Sequence, residues 1–223
     1  MLKRHNTKLT AINDGQYQGQ TVFPKPLSSK YLESIFQTMQ IALNDHPRTF
    51  MIRFDLHLPH AMSMTDSPIL FDSRVISKFF KSLNAKIDND RISKQREGKR
   101  VHPCHLRYVW VRERADANTD HYHVAIFLNN DTYNHLGNYN NNGKNLSTKI
   151  LEAWASSLGL DTYSARGLVH FPQNKPVYYI NKNAQDYQKI FETAFFRLSY
   201  FAKFETKHYG DRSRSFGCSR LQA

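Results

Sequence analysis

An α+β fold is what the sequence predicts, and three observations carry the expectation. Residues 49–58 alternate apolar and polar side chains with the period of two that a strand imposes. Residues 106–112 and 120–128 are further runs rich in β-branched and aromatic residues, joined by the short polar segment 114–119, which is the layout of an antiparallel hairpin. Elsewhere apolar residues recur at helical spacing between capping and stop residues. At 223 residues and 40% hydrophobic composition, a single well-buried domain is expected.

Residues 1–27 are polar, carry Gly15, Gly19, Pro24 and Pro26, and show no sustained period, so they read as an arm or irregular cover ahead of a single domain over 28–223. Ser28 or Ser29 caps a core-facing helix with Leu32, Ile35, Phe36, Met39, Ala42 and Leu43 on its stripe and Pro47 beyond its end. The strand 49–58 follows. It sets Phe50, Ile52, Phe54, Leu56 and Leu58 on one face and Met51, Arg53, Asp55 and His57 on the other, which predicts one apolar and one polar side.

Asp72 is the expected cap of a second helix, whose inner stripe is Val75, Ile76, Phe79, Phe80, Leu83 and Ile87. The charge run 91–100 reads as a solvated helix end and loop. His102-Pro103-Cys104-His105 offers three zinc-type ligands with no fourth nearby, and its proline fits a loop entering a strand better. After the hairpin, the Asn-rich stretch 129–145 predicts a long loop. A helix over 148–158 points Ile150, Leu151 and Trp154 inward and stops at Gly159, and 167–171 is a further strand. The last long helix is expected over 184–204, with a basic tail over 205–223.

Charge narrows the partner. There are 31 Lys+Arg against 19 Asp+Glu, a net charge of +12 and a pI near 9.7, the electrostatic footprint of a protein that handles a polyanion, with nucleic acid foremost. No apolar run approaches membrane-spanning length, and no apolar core follows the first basic residues as in a secretory signal. Two cysteines make no disulfide framework, so a cytoplasmic location is expected.

The chemistry centres on Asp120-His121-Tyr122-His123-Val124. On a strand, His121 and His123 share a face about 7 Å apart along the backbone and can converge on one cation. Both faces of 120–128 are largely nonpolar, so the strand is central and its histidines need partners. If Arg114 pairs with Asp120, Glu113 lies across from His121, although a slip of one residue would reverse that. Two imidazoles and a carboxylate suit Mg²⁺ or Mn²⁺ near a phosphate. Asp55 and His57 are candidates to join or support the site. Tyr200 is the candidate nucleophile, with Lys203 one turn on to stabilise a phenolate. The Tyr-x-x-basic spacing also occurs at Tyr163, Tyr179 and Tyr209, so spacing alone does not choose, and Tyr179 followed by Lys182 is the alternative nucleophile.

The ordered set Arg53-Phe54-Asp55-Leu56-His57-Leu58-Pro59, Trp110-Val111-Arg112-Glu113, His121-Tyr122-His123-Val124 and Tyr200-Phe201-Ala202-Lys203, with the tail 214–220, resembles the His-hydrophobe-His (HUH) endonucleases, and among them the inovirus-type replication initiators of filamentous phages and prophages. The resemblance implies a central antiparallel sheet of the RNA-recognition-like type flanked by helices, with Mg²⁺ or Mn²⁺ on His121 and His123. It implies that Tyr200 nicks single-stranded or hairpin origin DNA, forming a 5′-phosphotyrosine and a free 3′-hydroxyl that primes rolling-circle replication by host helicase and polymerase. Phe196 stands where some relatives carry a second tyrosine, which implies a single-tyrosine mode in which a second protomer is one route to termination. Two other readings stand beside this one: a noncatalytic nucleic-acid-binding module that stacks bases on the sheet, and, within the class, a relaxase or transposase.

Overall fold

A computed structural model of the chain describes residues 10–59, 74–114, 120–138, 143–204 and 214–221. Its centre is β1 (Arg48–His57), joined on one side by β3 (Asp120–Asn129), which pairs in turn with β2 (Arg107–Arg114). The other edge of β1 carries β4 (Val169–His170) beside Asp55 and Leu56, and β5 (Val177–Asn181) beside residues 48–52. The far edge of β2 takes β6 (Phe216–Cys218). All six strands pair antiparallel in the order β6-β2-β3-β1-β4, with β5 also on β1.

Helices cover both faces. Phe50, Ile52, Phe54 and Leu56 of β1 and Tyr122, Val124 and Ile126 of β3 pack with α2 (Val75–Arg96) and α3 (Leu146–Leu158). On the reverse face Met51, Val109, Val111, Ala125 and Phe127 are sealed by α1 (Ser29–Asp45) and α5 (Tyr187–Ser199). The short α4 (Thr162–Ala165) follows α3. Ser28 caps α1 by accepting from the Tyr31 amide at 3.4 Å, and Gly159 ends α3 at φ 71°, a left-handed position that glycine takes without steric cost. The stripes expected for α1 and α2 are buried. The expected Asp72 cap lies outside the described residues.

The polar side of β1 lies under α1 and α5, which bury Met51 and Arg53. Three expectations need correction. The last helix is shorter than 184–204: α5 stops at Ser199, Tyr200–Ala202 form a single 3-10 turn, and Lys203 is extended. Tertiary pairing overrides the helical period there, since Lys203 bridges to Leu27, the Phe204 amide donates to Pro26 and the Phe23 amide donates to Ser199 Oγ at 2.8 Å. The tail contributes β6 to the sheet, and β5 adds a strand that the sequence patterns left unassigned.

Candidate metal centre and its tyrosine

Three neighbouring strands bring the polar side chains together on the face under α1 and α5. The β2–β3 register is the one expected from the hairpin, with Glu113 opposite His121 and Val111 opposite His123. On the other side of β3, His57 lies opposite His121 and Asp55 opposite His123. Two rows therefore cross the sheet, Glu113–His121–His57 and Val111–His123–Asp55.

His121 Nε2 lies 3.3 Å from His123 Nε2, and His123 Nε2 lies 3.2 Å from Glu113 Oε2. Ligand atoms of Glu113, His121 and His123 all fall within 4.8 Å of one another, a grouping that could hold a metal ion. Asp55 Oδ1 sits 2.6 Å from His123 Nδ1. An imidazole that donates Nδ1–H to a carboxylate presents its Nε2 lone pair to the cluster, which is how a neighbouring group fixes the tautomer of a metal-ligating histidine. Asp55 thus supports the triad from behind. His57 does not join it; its ring stacks on His121 with centroids 5.5 Å apart.

The electrostatics fit that division. Burial, reinforced by the charges of His123 and His57, lowers the pKa of His121 and so favours the neutral imidazole that binds metal. Burial also disfavours a charged His123, but the hydrogen bonds to Asp55 and Glu113 outweigh it and raise its pKa. Burial works against ionisation of Asp55, yet its bond to His123 and the charges of His123, Arg53 and His170 hold its carboxyl below the usual range. The donor set, two imidazole nitrogens and one carboxylate with a second carboxylate behind, fits a divalent cation.

Tyr200 stands next to this cluster. Its ring meets the His123 ring edge-on at 5.9 Å and the Phe23 ring at 5.0 Å, so the 10–27 cover helps seat it. Lys203 Nζ donates to the Tyr200 hydroxyl and lies 3.4 Å from Glu113 Oε2. A continuous polar path thus runs from the phenol through Lys203 to the triad. Because the α-helix ends at Ser199, the two meet across a 3-10 turn rather than one turn apart on an α-helix. Tyr179 lies elsewhere: it pairs with Phe50 on the α2/α3 face, half exposed, with its hydroxyl donating to the Asn134 carbonyl at 3.0 Å. Cys104 is buried in the α2/α3 core, which pushes its thiol up to about 11, and its neighbouring histidines form no metal cluster among the described residues.

Two residues near the site were not singled out from sequence. His170 on β4 brings Nδ1 to 3.7 Å from Asp55 Oδ2, and Arg53 holds its guanidinium 5.8 Å from the Tyr200 ring centre and 5.5 Å from that of Phe201. Arg53 had one legible signal, its place two residues before Asp55 on an alternating strand.

Fold and site define an α+β protein whose antiparallel sheet carries a two-histidine, one-carboxylate cluster on one face, with a Tyr–Lys pair beside it. The chain belongs to the YagK/YfjJ C-terminal domain family, which it matches over residues 16–219. It is 36% identical over 196 residues to the uncharacterized protein YagK of Escherichia coli strain K12, covering 86% of this chain and 93% of that one. It is likewise 36% identical over 197 residues to the uncharacterized protein YfjJ of the same strain, covering 86% and 94%. No solved structure matches it. Among the described residues no helix is long and apolar enough to cross a membrane.

Proposed function

We propose that the protein is a metal-dependent enzyme of the HUH type that nicks and rejoins single-stranded DNA at a replication origin, and so starts rolling-circle replication. The observation that carries the reading is the path from the Tyr200 hydroxyl through Lys203 to Glu113 and the two histidines. Supporting it, both sheet faces are covered by helices among the described residues, which leaves no open platform for the base stacking that the noncatalytic reading needs.

Glu113, His121 and His123 would hold Mg²⁺ or Mn²⁺, which when bound polarises phosphate oxygens and offsets their charge. The Tyr200 phenol releases its proton to solvent, the Lys203 ammonium stabilises the phenolate, and Oη attacks phosphorus. The P–O3′ bond breaks, the 3′-oxygen takes a proton from solvent, and the 5′ phosphate remains on Tyr200. Attack by a 3′-hydroxyl on that phosphotyrosine reverses the exchange and restores the DNA strand. Asp55 keeps His123 in the ligating tautomer throughout. Phe196 precedes Tyr200 by four residues and offers no second hydroxyl, so termination needs a second protomer, a second tyrosine elsewhere or another nucleophile. Host helicase and polymerase in the cytoplasm of a bacterial cell would supply unwinding and extension.

The test is incubation with single-stranded DNA from the replicon that carries the gene, in Mn²⁺, followed by denaturing electrophoresis for a protein–DNA adduct. Wild type should form the adduct and Tyr200→Phe should not. An undiminished adduct from Tyr200→Phe removes the assigned nucleophile, and DNA binding by wild type without any adduct supports the noncatalytic reading.

A further inference from the structure

The Arg53 guanidinium is seated on the rings of Tyr200 and Phe201, and the charge of Asp55 favours it. Arg53 projects from β1 on the site face, one register step from Asp55, and is 8% exposed. Its Nε is buried without a hydrogen-bond partner, and no carboxylate among the described residues lies within ion-pairing distance of its guanidinium. Asp55 is in direct contact with His123 and His170, and its charge reaches Arg53 only at longer range. Burial lowers the pKa of the guanidinium, the Asp55 charge works against that, and the nearby charge of Arg197 adds to the lowering.

A guanidinium stays protonated in proteins, and burying one with unmet donors is unfavourable. Aromatic neighbours compensate part of that cost, but they accept no N–H bond in the plane of the fork. A planar, five-donor fork matches the paired non-bridging oxygens of a phosphate, which a lysine cannot do as a point charge. The unmet Nε donor and the place beside Tyr200 point to one ligand class.

We propose that Arg53 binds the non-bridging oxygens of the phosphodiester presented to Tyr200. This rests on the nicking reading for its substrate, yet the phosphodiester contact is testable without any reaction. Lys203 then acts on the phenol and Arg53 on the phosphate, two cations with separate tasks. As phosphorus becomes five-coordinate, its equatorial oxygens gain charge, which strengthens the bonds from the fork.

The Arg53 Nε–H resonance reports binding directly. In Tyr200→Phe protein with EDTA, where no chemistry occurs, it should shift on addition of oligothymidylate and stay in place with the uncharged methylphosphonate analogue; Arg53→Lys identifies the signal by its loss. In the adduct assay Arg53→Lys and Arg53→Met should slow wild-type cleavage, the Met variant by about 100-fold. A resonance unmoved by an oligothymidylate that binds, or full-rate adduct formation by Arg53→Met, overturns the proposal. A shifted resonance in a protein that forms no adduct keeps the phosphodiester contact and discards the nicking reaction. Should Arg53→Met fail to fold, the resonance titration decides alone.

Discussion

At the scale of single residues, the site depends on one carboxylate fixing one ring. Asp55 holds His123 Nδ1 at 2.6 Å, so the Nε2 lone pair faces His121 and Glu113. Replacing Asp55 with alanine leaves all three ligands in place but frees the His123 tautomer and ring. Mn²⁺ affinity measured by titration calorimetry should fall about 10- to 100-fold. His57→Ala removes a ring stacked on His121 from outside the cluster and should change affinity far less. Equal losses from the two variants would mean that His57 is a ligand or that Asp55 is not a support. Glu113 was legible in the sequence because the short polar connector fixed the hairpin register, and a register places side chains two by two. The role of Asp55 was only half legible: alternation put it on the right face, but no local pattern says which strand lies beside β1. Arg53 was legible only as a residue on the same face as Asp55, since a lone arginine in a strand gains a role only once the end of another helix is laid over it.

At the scale of elements, the sequence failed where partners are distant. The apolar stripe of 184–204 has the helical period throughout, yet the helix stops at Ser199 because the chain then pairs with Leu27 and Pro26, a contact of about 176 residues' separation that periodicity cannot encode. That early stop puts Tyr200 and Lys203 on a turn whose side chains meet. β6 was missed for a related reason: three residues, Phe216, Gly217 and Cys218, are too few to show alternation, and they form a strand only because the edge of β2 is there to receive them. Gly217 is required by that docking. It lies opposite Trp110, and a Cβ there would stand 2.7 Å from the indole. Trp110 is itself packed edge-on to Tyr122, so it has little room to retreat. Gly217→Ala should therefore destabilise the protein by about 1–3 kcal/mol, the usual cost of overpacking, seen as a lowered Tm. An unchanged Tm would show that β6 docks loosely and that the tail is dispensable to the sheet.

At the scale of the whole molecule, two properties separate that simpler nucleic-acid-binding proteins combine. The net charge of +12 belongs to the whole chain, whereas the triad occupies one end of two adjacent strands. Affinity for single-stranded DNA should come mainly from the charge, through counterions released at phosphates, so log K should fall linearly with log salt at about 0.7 per phosphate contacted. Chemistry should come from the triad. Chelating the metal with EDTA should consequently abolish the covalent adduct while leaving salt-dependent binding within a few-fold, and Mn²⁺ in excess should restore the adduct. His121→Ala and His123→Ala should reproduce the EDTA state without restoration, because each removes one of three ligands. Fluorescence anisotropy measures the binding and denaturing electrophoresis the adduct, on the same samples. If EDTA removed binding and adduct together, the cation would be holding DNA rather than preparing phosphorus for attack, and the path from Tyr200 through Lys203 to Glu113 would be a structural link rather than a catalytic one.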